Sequence, residues 1–161
     1  MSKASLFFLL ALFLPVAVLA APAAGEPTTQ LPQDAVLRQA IVGTWLSEKS
    51  AGIASVTAYA TYREDGSASQ ILRVKVIFKQ AMWVWIKQSW TIVDGTLRVT
   101  SERFASNSDQ AQVDLSVAHR QLLALDAANL NYRVKDKEQH ETKVGGPPAD
   151  FRKIADELAH K

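Results

Sequence analysis

Apolar and polar residues alternate with period two along most of the chain from residue 43 to residue 144, the mark of β-strands with one buried face. The clearest stretch is Met82 to Phe104, MWVWIKQSWTIVDGTLRVTSERF. Its two alternating runs flank Asp94-Gly95, and a type I′ turn needs positive φ at both central residues. A two-residue turn sets Trp90 opposite Val99 and Ile92 opposite Leu97 on one face. It sets Lys87 against Glu102 on the other. Apolar pairs on one side and a complementary charge pair on the other agree on a single register.

The neighbouring segments repeat the pattern. In Ala54 to Arg63, Val56, Ala58, Ala60 and Tyr62 share a face. Glu64-Asp65-Gly66 follows, and a one-residue slip there would flip every side chain. A three-residue loop with Gly66 left-handed pairs Val56 with Val74 and Ala58 with Leu72, keeping apolar with apolar, and is the predicted form. Ser69 to Phe78 then directs Leu72, Val74, Val76 and Phe78 inward. Further strands are predicted at Gln112–Ala118, with Val113, Leu115 and Val117 on one face, at Gln121–Leu125, at Leu130–Val134 and at Glu138–Val144. Gly145-Gly146-Pro147-Pro148 ends the series. Before the strands, Pro32 and Asp34 open one or two helical turns in which Val36, Leu37, Ala40 and Ile41 share a face, closed by Gly43. After them, Phe151, Ile154, Ala155 and Leu158 stand at helical spacing within 149–161. About eight strands joined by short turns predict an all-β fold: a small antiparallel up-and-down β-barrel over 33–148, flanked by a short N-terminal helical turn and a C-terminal helix. Closure also removes the exposed edges of an open sheet.

The N-terminal segment has a different character. Met1-Ser2-Lys3 is a short positive head, Leu6 to Leu14 is a continuous apolar run, and Val18-Leu19-Ala20 ends in small residues. This is the pattern of a signal peptide over 1–20, followed by an Ala/Pro/Thr-rich spacer over 21–32. The expected product is exported, periplasmic or extracellular, and meets a membrane only through the cleaved signal. Without Lys3 it carries 17 Lys+Arg against 16 Asp+Glu, a net charge of +1, which gives no reason to expect a nucleic-acid or a membrane-surface partner. The chain has 0 Cys, so neither disulfides nor thiolate metal sites contribute.

Three short motifs carry a resemblance. Gly43-Thr44-Trp45, Tyr62-Arg63-Glu64-Asp65-Gly66-Ser67 and Trp90 to Leu97 together resemble elements of the lipocalin/calycin superfamily, in particular the small lipocalin-like domains of bacterial exported proteins. The likeness spans roughly Leu37 to Val144. It implies a closed antiparallel barrel, commonly with a small-molecule pocket. It also implies that Trp45 closes one end beneath a basic residue from near the C-terminus, with Lys143 and Arg152 as candidates.

Trp90 and Ile92 occupy even positions but Trp83 and Trp85 odd ones, so a regular strand sends the two pairs to opposite faces. On the partner strand Leu97 and Val99 are odd while Phe104 is even. Three readings stand. A bulge near Gln88-Ser89 returns Trp83 and Trp85 to the interior as pocket lining. Alternatively the strand is regular, and the pair forms either an exposed patch for a partner or a surface covered by the terminal helix. Trp83, Trp85, Tyr62 and Trp90 are the candidate ligand contacts. His119, His140 and His160 are scattered; Glu138, His140 and Glu141 are close together, and Glu138 and His140 can share a strand face, which fits a solvated edge at least as well as a metal site. Ser101 and Ser116 have no evident base. No phosphate loop, nucleophile elbow or zinc motif is present in the sequence, and neither catalysis, a metal nor a cofactor is expected. The expected function is binding of a small apolar or amphipathic ligand; the alternative is a solid barrel acting through an exposed aromatic patch. An enzyme would require about three buried ionisable groups converging on one pocket.

Overall fold

The computed structural model describes residues 33–161, so the signal-peptide and spacer expectations lie outside the described residues. Helix α1 (Gln33–Ile41) is followed by β1 (Gly43–Ala51), β2 (Ala54–Tyr62), β3 (Ser67–Val76), β4 (Met82–Val93), β5 (Thr96–Ser106), β6 (Val117–Leu125), β7 (Asn129–Val134), β8 (Lys137–Val144) and helix α2 (Ala149–Ala159). The eight strands form a closed barrel in sequence order, every pairing antiparallel, with β8 returning to β1.

The turn chemistry sets the registers. Asp94 and Gly95 adopt φ of 51° and 67°, and Trp90 faces Val99 and Ile92 faces Leu97, as the alternation predicts. Gly66 has φ 83°, and the three-residue loop it closes pairs Val56 with Val74 and Ala58 with Leu72. Helix α1 is tied to the central turn: the two carboxylate oxygens of Asp34 accept from the backbone N–H groups of Asp94 (2.9 Å) and Gly95 (3.0 Å).

One end of the barrel is sealed. Trp45 is 0% exposed, and its indole Nε1 donates to the Ile41 carbonyl at 2.7 Å. Ile41, Tyr62, Trp90, Ile92, Leu97, Val99 and Leu130 complete an apolar plug around it. Lys143 crosses the Trp45 ring with Nζ 5.1 Å from its centroid and donates to the Ala40 carbonyl at 3.1 Å. Of the two basic candidates, Lys143 therefore takes this place. A side chain at Gly43 would put Cβ 2.6 Å from Lys143 Cε, and its φ of +132° also disfavours any other residue. The first residue of the Gly-x-Trp motif is thus small because the lysine passes over it.

Three expectations are corrected. Phe78 is not inward: β3 ends at Val76, and Phe78 projects into solvent with φ 64°. Gln112–Ala118 is not a separate strand. The Asp114 carboxylate accepts from Ser116 N–H at 2.9 Å, a side-chain-closed turn that competes with strand pairing. Only Val117 and Ala118 are extended, as the start of a continuous β6 that runs on to Leu125. Val36, expected on the buried face of α1, is exposed.

Candidate functional site at the open end of the barrel

The tryptophan question is settled by the position of one extra residue. A bulge does interrupt the β4–β5 ladder between Lys87 and Gln88, but the additional residue is Glu102 on β5. It flips the parity of β5, so that Phe104 pairs with inward Ile86, and leaves β4 regular. Val84, Ile86, Gln88, Trp90 and Ile92 are buried in strict alternation along β4, and Trp83 and Trp85 lie on the outer wall. The readings that line the interior with this pair, or expose it as a free patch, are therefore corrected: α2 covers it. Phe151 meets Trp83 edge-on at 4.8 Å and Tyr59 at 4.7 Å, while Arg73 lies over both Phe151 (5.0 Å) and Trp83 (5.6 Å). Lys87 and Glu102 still meet on the outside, at 3.3 Å.

The four candidate ligand contacts are thus split. Trp83 and Trp85 are outside. Trp90 is in the sealed half, its indole N–H shared between the carbonyls of Arg63 (3.0 Å) and Ser67 (3.1 Å). Tyr62 alone reaches the interior polar cluster that makes the more specific site.

That cluster is built by β2, β6, β7 and β8. Along β6 the even residues from Ala118 to Leu122 point inward, because Ala118 pairs with Val99 and Arg120 with Leu97; a bulge at Leu123 then turns Leu125 inward opposite Leu130. Along β8, Glu141 pairs with Leu130 and Gln139 with Tyr132. Four ionisable side chains consequently converge. Arg120 Nη1 donates to Tyr62 Oη at 2.9 Å and lies 3.7 Å from Glu141 Oε1. Tyr132 Oη donates to the same Glu141 oxygen at 2.7 Å, and the guanidinium sits 5.0 Å from the Tyr132 ring centroid. Glu141 is 4% exposed and its second oxygen, Oε2, is buried without a hydrogen-bond partner.

Burial sets the protonation states. It pushes the Tyr62 phenol up to about 12 despite the opposing Arg120 charge, and it pushes Tyr132 up likewise. Burial opposes the charge of Arg120, but Tyr62, Tyr132 and Glu141 more than offset it and hold the guanidinium protonated. Both phenols therefore remain neutral and Arg120 cationic throughout the physiological range.

Arg120 and Tyr132 form the floor of a pocket of about 560 Å³ at the barrel end opposite Trp45. Its walls include Ala118, Val134 and Gln139, and its rim carries Lys49, Lys135, Asp136 and Lys137. Lys49 donates to Gln139 Oε1 across β1 and β8. A second depression, of about 590 Å³, lies outside the barrel between α2 and the wall, where Tyr59, Ile71 and Trp85 meet Arg63, Lys87 and Arg152. Arg152 belongs there and not over Trp45.

Nothing in the sequence marks Arg120, and Glu141 stands out there only as a neighbour of Glu138 and His140. Glu138 and His140 face outward: Glu138 accepts from Arg133 at 2.7 Å and His140 Nδ1 meets Asn131 Oδ1 at 2.6 Å. A usable signal existed in Tyr132: if Leu130 and Tyr132 face inward, the short turn to β8 puts Gln139 and Glu141 inward too.

Comparison with known proteins finds no protein family whose model matches this chain. No curated protein matches it either.

Proposed function

We propose that this chain is an exported, lipocalin-like binding module that takes a small amphipathic ligand with an acidic head group at the open end of its barrel. The observation that carries the reading is Arg120. A guanidinium held cationic, kept 12% exposed and placed at the floor of an open pocket is a ready partner for a carboxylate, sulfonate or phosphate. Three rim lysines against one aspartate add a field that favours an anion. The apolar walls, Ala118 and Val134, suit a short hydrocarbon portion.

Four ionisable groups converge, which reopens the enzyme reading, and their chemistry argues for binding. The phenols are neutral donors. Glu141 already accepts from Tyr132 and lies beneath the floor, away from the pocket lining. Arg120 offers charge and hydrogen bonds and no lone pair. The floor can hold and orient an anion, and neither Arg120 nor the neutral Tyr132 phenol supplies it with a base or an activated nucleophile.

Isothermal titration calorimetry with dodecanoate, dodecanol and dodecyltrimethylammonium tests this. Dodecanoate should bind, with an affinity that falls as salt rises, and about tenfold or more tighter than the alcohol, since a charged hydrogen bond is worth roughly 1.5–3 kcal/mol. Equal binding of all three would count against an Arg120-centred site.

A further inference from the structure

The open end carries a second feature that the ligand pocket does not use. The β1–β2 turn and the β3–β4 connection project beyond the barrel there, and Ile77 N–H donates to the Ile53 carbonyl at 3.0 Å, joining the two loops into one tip. That tip is apolar and solvent-facing: Ile53 is 65% exposed, Ile77 50% and Phe78 102%. Phe78 is held out by its own backbone. Its φ of 64° is costly for an aromatic residue, and Lys79 N–H donates back to the Val76 carbonyl at 3.1 Å to close the turn around it. A strained, fully solvated phenylalanine flanked by two exposed isoleucines is unfavourable in water unless something covers it.

The surrounding charge indicates what does. Strands β2, β3 and β4 carry no Asp or Glu, while Lys75 and Lys79 flank the tip, Lys75 opposite Ser55 and Lys79 in the turn that holds Phe78. Farther round the open end the charges are mixed: Lys49, Lys135 and Lys137 stand among Glu48, Asp109, Asp114, Asp136 and Glu138, so the uncompensated lysines are the two at the tip. An apolar point flanked by two lysines matches a bilayer with anionic head groups: the side chains enter the interface and the lysines remain at the phosphates. A second copy docked tip to tip would bring its own Lys75 and Lys79 against these two and matches it less well.

We infer that Ile53, Ile77 and Phe78 dock the protein on an anionic lipid surface, with the barrel mouth turned towards the membrane. The inference rests on the tip and on Lys75 and Lys79 beside it, none of which lines the pocket, and stands independently of the ligand reading. In that orientation the pocket would exchange an amphipath directly with the bilayer.

Vesicle co-sedimentation of the mature protein tests it. With vesicles of phosphatidylcholine containing about a quarter phosphatidylglycerol, the wild type should sediment, and it should do so far less with phosphatidylcholine alone or in roughly 0.5 M salt. Phe78→Ser with Ile77→Ser should lose about tenfold or more in binding, and Lys75→Glu with Lys79→Glu a comparable amount. All these positions are solvent-exposed, so unchanged circular dichroism is expected and separates docking from folding. The inference is overturned if the wild type stays in the supernatant with anionic vesicles, or if the tip variants bind as it does. It is also overturned if Phe78→Ser abolishes a dimer in a protein that ignores vesicles. Dodecanoate titration of the same tip variants should be unchanged, which distinguishes failure of the pocket from failure of the tip.

Discussion

Arg120 and Glu141 face each other inside the barrel at 3.7 Å, with unequal access to water: the carboxylate is sealed while the guanidinium reaches the pocket floor. Breaking a buried pair costs most when the charge left behind cannot be solvated. Arg120→Met should therefore destabilise the fold by about 3–5 kcal/mol and Glu141→Gln by distinctly less. Arg120→Met combined with Glu141→Met should recover much of the loss. Urea denaturation of the three variants gives the comparison; equal costs for the two single changes would mean that the carboxylate is as well solvated as the arginine.

The buried phenols make stability depend on pH in the alkaline range. The Tyr62 phenol titrates near 10 in the unfolded chain and is held up to about 12 in the native protein. Below pH 10 both states carry the proton and its contribution is complete. Between pH 10 and about 12 only the unfolded state loses it, so stability falls by about 1.4 kcal/mol per pH unit for this group. Tyr62→Phe should make the decline shallower. Chemical denaturation at a series of pH values from 8 to about 12 measures it; identical slopes for wild type and variant would place the phenol in water.

The sealed end offers an independent check. Gly43→Ala must adopt a strained φ and displace Lys143 from across Trp45, so it should cost about 1–3 kcal/mol. Lys143→Met keeps the aliphatic cover but loses the cation and the hydrogen bond to Ala40, and should cost about 1 kcal/mol. Thermal unfolding monitored by tryptophan fluorescence distinguishes the two. A Gly43→Ala protein as stable as wild type would mean that Lys143 is free to move aside.

The fold was legible where local chemistry and alternation agreed. Asp94-Gly95 and Gly66 each specify one turn, and each turn fixes the face of every residue on its two strands. The covered position of Trp83 and Trp85 required knowing which strand carried the extra residue, and the sequence marks the parity change on both β4 and β5. Phe78 misled because it continues the alternation of β3 past the point where pairing stops. The site was hidden for a related reason. Val113, Leu115 and Val117 suggest an odd-inward strand, but Asp114 turns the chain before it pairs, and β6 then runs even-inward as far as Leu122, with Arg120 inside. Glu141 did not stand out on its own because β8 is polar on both faces, and its inward residues find polar partners on other elements, Gln139 with Lys49, Glu141 with Tyr132 and Lys143 with the Ala40 carbonyl, instead of forming an apolar stripe.

The central claim is that ligand enters the barrel mouth above Arg120, and nuclear magnetic resonance with amide resonances assigned tests it most directly. On titration with dodecanoate, the largest shifts should fall on Ala118, Arg120, Tyr132 and the turn from Val134 to Gln139. Little change is expected at Tyr59, Ile71 and Trp85 beneath α2. Shifts concentrated in that outer groove, or none at the mouth at saturating ligand, would contradict the account.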